Sequence, residues 1–306
     1  MLGPILETLI GGLLTGVLYS LVALGFVLIF KTSGVFNFAQ GAMVLFAALS
    51  LARLSEAMPF LLALAITIVI MVALAYAIEF LVLRPLVNQE GIILFMATLG
   101  IAYFFDGFGQ TLWGSDIYKI DIGMPKNPIF ILESVFPGGI LIDPSELIAA
   151  VACAILVAVL AIFFQVTRVG RALRAVADDH QAAQSVGIPL NTIWIMVWSV
   201  SGLVAIVAGI IWGEKLGVQF SISLIALKAL PVLILGGFTS IPGAIVGGLI
   251  IGAGEKLAEV VLGPVLIRLF DLAGGGIENW FAYVLALVFL LVRPQGLFGE
   301  KIIERI

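Results

Sequence analysis

The sequence predicts an all-α protein that crosses a membrane several times. Of its 306 residues, 62% are hydrophobic and only 11% are charged, whereas a soluble domain averages about 25% charged residues. Four long segments carry no charged side chain at all: residues 8–30, 147–167, 191–213 and 229–254. Each reaches the roughly 20 residues that a helix needs to cross a hydrocarbon core of about 30 Å.

Nine apolar segments follow one another along the chain, and we expect eight to ten transmembrane helices in a single domain, residues 1–306. The segments are residues 9–30, 38–54, 60–83, 92–113, 147–166, 191–212, 224–235, 244–262 and 280–292. Three of them (38–54, 224–235 and 280–292) are shorter than a full crossing, so we expect them to tilt, extend or re-enter. The first segment lacks a preceding basic region and is predicted to be a retained helix.

The distribution of basic residues predicts the orientation. The loop at residues 167–190 holds Arg168, Arg171 and Arg174, and cytoplasmic loops are enriched in Lys and Arg. With this loop in the cytoplasm, eight basic residues lie inside and six outside; the others inside are Lys31, Arg84, Arg293, Lys301 and Arg305. Those outside are Arg53, Lys119, Lys126, Lys215, Lys256 and Arg268. Residues 114–146 then form an outer loop, either a solvated connector or a docking surface for a soluble partner.

Two stretches rich in small and polar residues interrupt the apolar pattern. Residues 32–41 and 236–243 each lie beside a short segment, one in each half of the chain, in a weak internal repeat. In transporters, paired breaks of this kind mark a site where freed backbone groups face a wet cavity. The predicted substrate pathway contains Asn37, Gln40, Gly41, Gly236, Gly237, Thr239, Ser240 and Gly243. Ordinary loops with close helix packing through glycine are the alternative interpretation.

Charged residues inside or near the predicted segments are few: Glu79, Asp106, Lys228, Glu255, Lys256 and Glu259. Lys228 can extend its ammonium group towards the interface, which needs no functional role. Glu255 and Glu259 share a helix face, which favours an interfacial helix end for this group. A coupled-ion role is the less favoured alternative.

The loop after the fifth segment predicts a short, self-terminated helix. Asp178 or Asp179 can cap its N-terminus, residues 181–186 form its turns, and Gly187 can adopt the left-handed conformation that ends it. Pro189 prevents continuation. A linker has no need of such capping, so we expect a lever that is pressed by a cytoplasmic partner.

Taken together, four stretches make the chain resemble the integral-membrane permease of branched-chain amino-acid ABC importers. They are residues 19–25 continuing through 37–41, residues 171–187, residues 236–248 and the tail 293–299. They follow the family's order over nearly the whole length.

The resemblance implies partners and a location. Family members pair with a second related permease, bind two cytoplasmic ATPase subunits that hold the ATP, and receive substrate from a soluble binding protein, all at the cytoplasmic (inner) membrane. The family's ATPase-docking pattern falls on Ala182, Ala183 and Gly187 of the predicted helix. Gln181 stands where many relatives carry Glu, which removes one possible salt bridge to the ATPase.

Several function classes are disfavoured by what the residues lack. No G-x-x-x-x-G-K-[ST] motif occurs, so the energy must come from a partner or an ion gradient. A net charge of -4 without a basic cluster argues against nucleic acid. We expect no enzyme, because Ser, His and acidic residues show no catalytic spacing, and no cofactor. The single Cys153 is predicted to be core packing and the single His180 lacks a second metal ligand.

The expected function is therefore that of a permease subunit which moves branched-chain or other neutral amino acids by ATP-driven alternating access. Two alternatives stay open. One is a urea or short-chain amide ABC permease, and the other is a self-sufficient secondary transporter or channel.

Overall fold

The computed structural model describes residues 2–86, 89–125, 127–131, 133, 139–178, 180–270 and 276–299. Asp179, one of the two predicted helix caps, lies outside these residues. So do Lys126, Lys301 and Arg305, which contribute to the predicted orientation.

The described residues form eleven α-helices and one β-hairpin. In chain order the helices are α1 (Leu2–Ser33), α2 (Gln40–Ala57), α3 (Phe60–Ile78), α4 (Gly91–Trp113), α5 (Pro144–Val166), α6 (Arg168–Asp178), α7 (His180–Ser185), α8 (Leu190–Leu216), α9 (Ile225–Gly236), α10 (Ile241–Phe270) and α11 (Ile277–Val292). The strands β1 (Ile129–Ile131) and β2 (Ile140–Ile142) pair antiparallel in the predicted outer loop. A π-helical turn (Glu79–Leu83) and a 3-10 turn (Arg84–Leu86) prolong α3, and a 3-10 turn (Phe220–Leu224) precedes α9.

The protein is an all-α polytopic membrane protein. Each of the nine predicted apolar segments lies on a helix, α1 to α5 and α8 to α11. Within the described residues, five helices (α1, prolonged α3, α4, α5 and α8) are long and apolar enough to cross a membrane. A sixth span is added if α9 and α10, which meet at a bend of 114°, count as one. Apolar side chains on α3, α4 and α5 are exposed, as expected of helices that face lipid: among them Leu61, Val69, Tyr103, Val151 and Ile162.

The tenth helix is longer than predicted. The apolar pattern placed its end at residue 262, but α10 continues to Phe270 and carries Pro264 inside. Glu255 lies in the middle of α10 rather than at a helix end, and its charge is compensated there by an ion pair with Lys228 of α9.

Contacts divide the chain into two compact units. Unit 2 comprises Leu24–Ile122 and Val157–Leu227, and its central element is α2, whose residues from Gln40 to Ala52 are all buried. This helix packs against α3, α4 and α8. Its approach to α8 is close because Gly209 has no side chain: a Cβ there would lie 2.9 Å from the Val44 carbonyl oxygen.

Unit 1 comprises the described residues of Met1–Ala23, Gly123–Leu156 and Lys228–Ile306. In it α10 packs against α11, and glycines bring α10 against α1. A Cβ on Gly12 would lie 2.7 Å from the carbonyl oxygen of Gly252. Small residues allow this backbone approach, which gives membrane helices their van der Waals contact.

Candidate functional site

The first interruption, between α1 and α2, is held by buried side-chain hydrogen bonds in unit 2. Asn37 and Gln40 are both 0% exposed. The Asn37 amide donates to Gln40 Oε1 at 3.2 Å, and Asn37 Oδ1 accepts from the backbone N–H of Ala39 at 3.0 Å. The Ser201 hydroxyl of α8 donates to Gln40 Oε1 at 2.7 Å. These bonds supply partners to a segment whose backbone has left the helix.

A threonine of α4 completes this arrangement. The Thr98 hydroxyl, also 0% exposed, lies 3.0 Å from the carbonyl oxygen of Phe36 and accepts from the backbone N–H of Phe38 at 3.3 Å. One side chain thus contacts both a donor and an acceptor of the interrupted backbone, and the Phe95 carbonyl of its own helix lies equally close, at 3.0 Å. Thr98 therefore fastens the first break to α4.

Two further features show how tightly the start of α2 is packed. A Cβ on Gly41 would collide with the carbonyl oxygen of Ser223, so the helix and the 3-10 turn touch through backbone atoms. Gln40 Nε2 is buried without a hydrogen-bond partner among the described residues, and it occupies space left open by Gly25. Asn37, Gln40 and Gly41 are thus brought together, and in this conformation they bind other protein groups.

The second interruption, between α9 and α10, is built from glycine contacts in unit 1. Gly236 and Gly243 meet backbone to backbone, since a Cβ on either would collide with the carbonyl oxygen of the other. Gly237 has φ +103°, a conformation that residues with a side chain rarely adopt. Ser240 caps α10, its Oγ accepting from the backbone N–H of Gly243 at 3.1 Å. Thr239 is half-buried beside it.

The C-terminal tail docks on this second break. The backbone N–H of Leu297 donates to the Leu235 carbonyl at 2.8 Å, and that of Phe298 donates to Gly236 at 3.1 Å. Gly296 has φ +79°, and a Cβ there would lie 2.7 Å from the Gly237 nitrogen. Two stretches that carried the family resemblance separately, 236–248 and 293–299, are therefore parts of one structure.

The arginine cluster of α6 caps the end of α5. Arg171 donates to the Val166 carbonyl at 3.1 Å, and Arg174 donates to the carbonyls of Phe164 and Gln165. The last carbonyls of a helix lack partners within it and carry partial negative charge, so cations are favoured there. These arginines, read from the sequence as an orientation signal, also hold α6 against α5.

The short helix predicted between spans is present as α7 (His180–Ser185), one residue earlier at each end than predicted. Its C-terminus is a Schellman motif. The Gly187 N–H donates to the Gln184 carbonyl and the Ile188 N–H donates to the Ala183 carbonyl, both at 3.0 Å. Gly187 has φ +85°, which confirms its predicted left-handed conformation.

For the N-terminus of α7, one of the two predicted caps, Asp178, is corrected. Asp178 is the last residue of α6, so the acid ends the preceding helix. Asp179 lies outside the described residues, as do the side chains of His180 and Gln181. Of the two alanines in the docking pattern, Ala183 is buried whereas Ala182 is exposed.

The charged residues inside helices are paired more often than the sequence indicated. Arg84 donates to both carboxylate oxygens of the buried Glu79, at 3.3 and 3.1 Å. The sequence did not reveal the partner of Lys228, whose ammonium donates to Glu255 Oε1 at 3.0 Å. This carboxylate within unit 1 compensates the charge of Lys228.

Among the described residues, no group of three His, Cys, Asp or Glu side chains is placed to hold a metal ion. Cys153 is fully buried in α5. The sequence interpretation missed Thr98 and Ser201, the partners of the first break. Each is one of several polar residues in a mostly apolar helix, and a hydroxyl by itself does not reveal what it binds.

The architecture, all-α and multi-pass with two interrupted segments and a capped helix between spans, is that of a polytopic membrane protein. A family model described as the branched-chain amino acid transport system permease component matches residues 8–293, so the chain belongs to that family and is a transport component rather than an enzyme.

Curated relatives agree with this assignment over nearly the full length. The chain is 28% identical to the high-affinity branched-chain amino acid transport system permease protein BraD of Pseudomonas aeruginosa, covering 98% of both chains. It is 26% identical to LivH of Salmonella typhimurium, covering 98% of this chain and 97% of that one. It is 29% identical to a probable LivH of Methanocaldococcus jannaschii, covering 94% and 91%.

Proposed function

We propose that the protein is the permease subunit of an ABC importer that carries branched-chain or other neutral amino acids across the cytoplasmic (inner) membrane. The observation that carries this proposal is the family match over residues 8–293, together with relatives named for branched-chain amino acid transport. The absence of a nucleotide-binding motif in the sequence fits a subunit that relies on partner ATPases.

The proposed complex contains this chain, a second related permease, two cytoplasmic ATPase subunits and an exported substrate-binding protein. The ATPase contact is assigned to the segment from Asp178 and Asp179 to Gly187, with Ala182 and Ala183 on α7. Its support is physical: α6 is fastened to α5 by arginines, and α7 ends in a closed Schellman motif. Because α6 and α7 pack against each other, a push on α7 reaches α5 through α6.

The substrate pathway is assigned to the two breaks. Asn37, Gln40 and Gly41 belong to the first, and Gly236, Gly237, Thr239, Ser240 and Gly243 to the second. Broken helices expose backbone groups that can meet a polar substrate once a cavity opens. Docking of the tail on the second break supports an inner gate there, because Arg293 of the same tail is predicted to be cytoplasmic.

The proposed topology has eight to ten transmembrane helices in a weak internal repeat. Besides the five long helices, α2, α9, α10 and α11 are candidates for the remaining crossings. The bend of 114° between α9 and α10 supports a broken or re-entrant segment in the second half.

Reconstitution into liposomes tests the proposal. The chain with its ATPase subunits, second permease and loaded binding protein should take up labelled leucine only when ATP is supplied to the cytoplasmic side. The chain alone should show no uptake under a sodium or proton gradient. Gradient-driven uptake by the chain alone supports a secondary transporter or channel, and ATP-driven uptake of urea but not leucine supports the amide permease.

A further inference from the structure

Five charged side chains in unit 1 form a row of alternating positive and negative charges, which we call the ion-pair network: Glu255, Lys228, Glu278, Lys256 and Glu259. Its members come from α9, α10 and α11. The ammonium-to-carboxylate distances along it are 3.0, 3.9, 3.0 and 3.9 Å. None of these residues belongs to the two breaks or to residues 178–187, the segment assigned to the ATPase contact.

The ion-pair network runs from a buried end to an exposed end. Glu255 is 1% exposed, whereas the side chains of Lys256 and Glu259 at the other end are 41% and 42% exposed. The side chain of Lys228, the ion-pair partner of Glu255, is 32% exposed and thus lies between the buried and the exposed end.

At the buried end, one carboxylate oxygen of Glu255 lacks a hydrogen-bond partner. Glu255 Oε1 accepts from Lys228 at 3.0 Å and lies 3.5 Å from the Tyr19 hydroxyl. Glu255 Oε2 is buried and has no hydrogen-bond partner in the part of the chain that the structure describes. A carboxylate oxygen left without a donor at membrane depth is costly, and charged groups in spans typically mark the path of a ligand.

We infer that Glu255 and Lys228 bind the two charged groups of a zwitterionic α-amino acid during transport. The inference rests on the proposed function and adds the site of recognition. The ammonium group of the amino acid binds Glu255 Oε2, and its carboxylate accepts from Lys228.

The chemistry of the pair selects the class of ligand. A zwitterion brings one positive and one negative group, so it can replace the contacts within the ion pair without changing the net charge of the site. Urea and simple amides have no ionic group and cannot compensate either partner once the pair opens. The pair therefore favours amino acids over the uncharged amides that the sequence left open.

The test uses the complete transporter in liposomes, with labelled leucine delivered by its binding protein. Lys228→Met and Glu255→Gln each remove one charge at nearly constant size. Lys256→Met and Glu259→Gln remove a charge from the exposed end and serve as matched controls. We expect uptake to fall about tenfold or more for the first two variants, because each removes one partner of a buried ionic contact. The two controls should keep uptake, complex yield and basal ATP hydrolysis at the wild-type level. The first two variants should also lower complex yield, because each leaves one member of a buried ion pair without its partner, so uptake is compared per assembled complex.

A charge-exchanged double variant, Lys228→Glu with Glu255→Lys, separates recognition from structural support. It restores an ion pair, but each position now presents the opposite charge to the ligand. Under our inference its complex yield and melting temperature recover while leucine uptake does not. Recovery of uptake as well, or normal uptake by Glu255→Gln, overturns the inference. A wild-type complex that hydrolyses ATP without taking up leucine overturns the proposed function itself, which distinguishes the two failures.

Discussion

The backbone N–H of Leu297 donates a hydrogen bond of 2.8 Å to the carbonyl of Leu235. Leu235 lies in the last turn of α9, where carbonyls have no partner within the helix. The following residue, Phe298, repeats the contact on Gly236. The tail thus caps α9 through main-chain atoms, and a movement of the second break must either carry the tail along or break these bonds.

The first prediction concerns this capping by the tail. Gly296→Ala should lower the free energy of unfolding by about 1–3 kcal/mol. A residue with a Cβ is strained at φ +79°, and the added Cβ would also lie 2.7 Å from the Gly237 nitrogen. Thermal unfolding of the detergent-solubilised protein measures the effect. Gly34→Ala is the matched control, since Gly34 also has positive φ, +66°, but nothing within 4 Å of the added Cβ. Equal losses for both variants would mean that docking of the tail adds nothing.

The second prediction concerns the anchor of the first break. Thr98→Val keeps the shape of the side chain but leaves the Phe38 N–H without its acceptor, which should cost about 1–3 kcal/mol. Thr67→Val is the control, because Thr67 is equally buried and bonds only to the Ala63 carbonyl of its own helix. In thermal unfolding, the melting temperature of Thr98→Val should be clearly lower than that of Thr67→Val. The reverse order would contradict the assigned role.

The third prediction tests the backbone contact at the start of α2. Gly41→Ala introduces a Cβ that collides with the Ser223 carbonyl, so overpacking should destabilise the protein by about 1–3 kcal/mol and reduce its yield. Gly107→Ala is the control in α4, where an added Cβ meets nothing within 4 Å. A stable Gly41→Ala protein would show that α2 and the 3-10 turn are not in direct contact in the membrane.

The sequence was sufficient to locate the apolar helices and α7, but it did not predict α6 or the contacts of the helices. Apolar segments predicted the five helices that are long and apolar enough to cross a membrane among the described residues, because a segment of that composition has no favourable place outside the bilayer or the core. The Lys228–Glu255 pair was missed since the two residues are far apart in the chain and nothing in local spacing relates them. Docking of Leu297 on Leu235 was also unpredictable, because main-chain bonds have no side-chain signature. The Gly187 cap was predictable because a Schellman motif is local.

The fourth prediction concerns the end of α7. Gly187→Val forces a β-branched residue into φ +85°, at a cost of about 1–2 kcal/mol, or roughly 5- to 30-fold in the population of the closed motif. Association with the ATPase subunits, measured by co-purification, should fall by a comparable factor. Gly123→Val is the control: its φ is +71° with open space around the Cβ, but it lies in the predicted outer loop. Similar loss of ATPase by both variants would argue against a specific role for α7.

Cross-linking of α7 tests the central claim, that partner ATPases act on this chain through the segment from Asp178 to Gly187. Val186 is 75% exposed at the end of α7, and Cys153 is buried, so Val186→Cys introduces the one accessible thiol in a chain with a single natural cysteine. In inverted membrane vesicles that contain the complete transporter, we predict a cross-link from position 186 to an ATPase subunit and protection of this thiol from membrane-impermeant reagents in intact cells. Labelling of the thiol from outside the cell, or cross-links that never include an ATPase, would contradict the account.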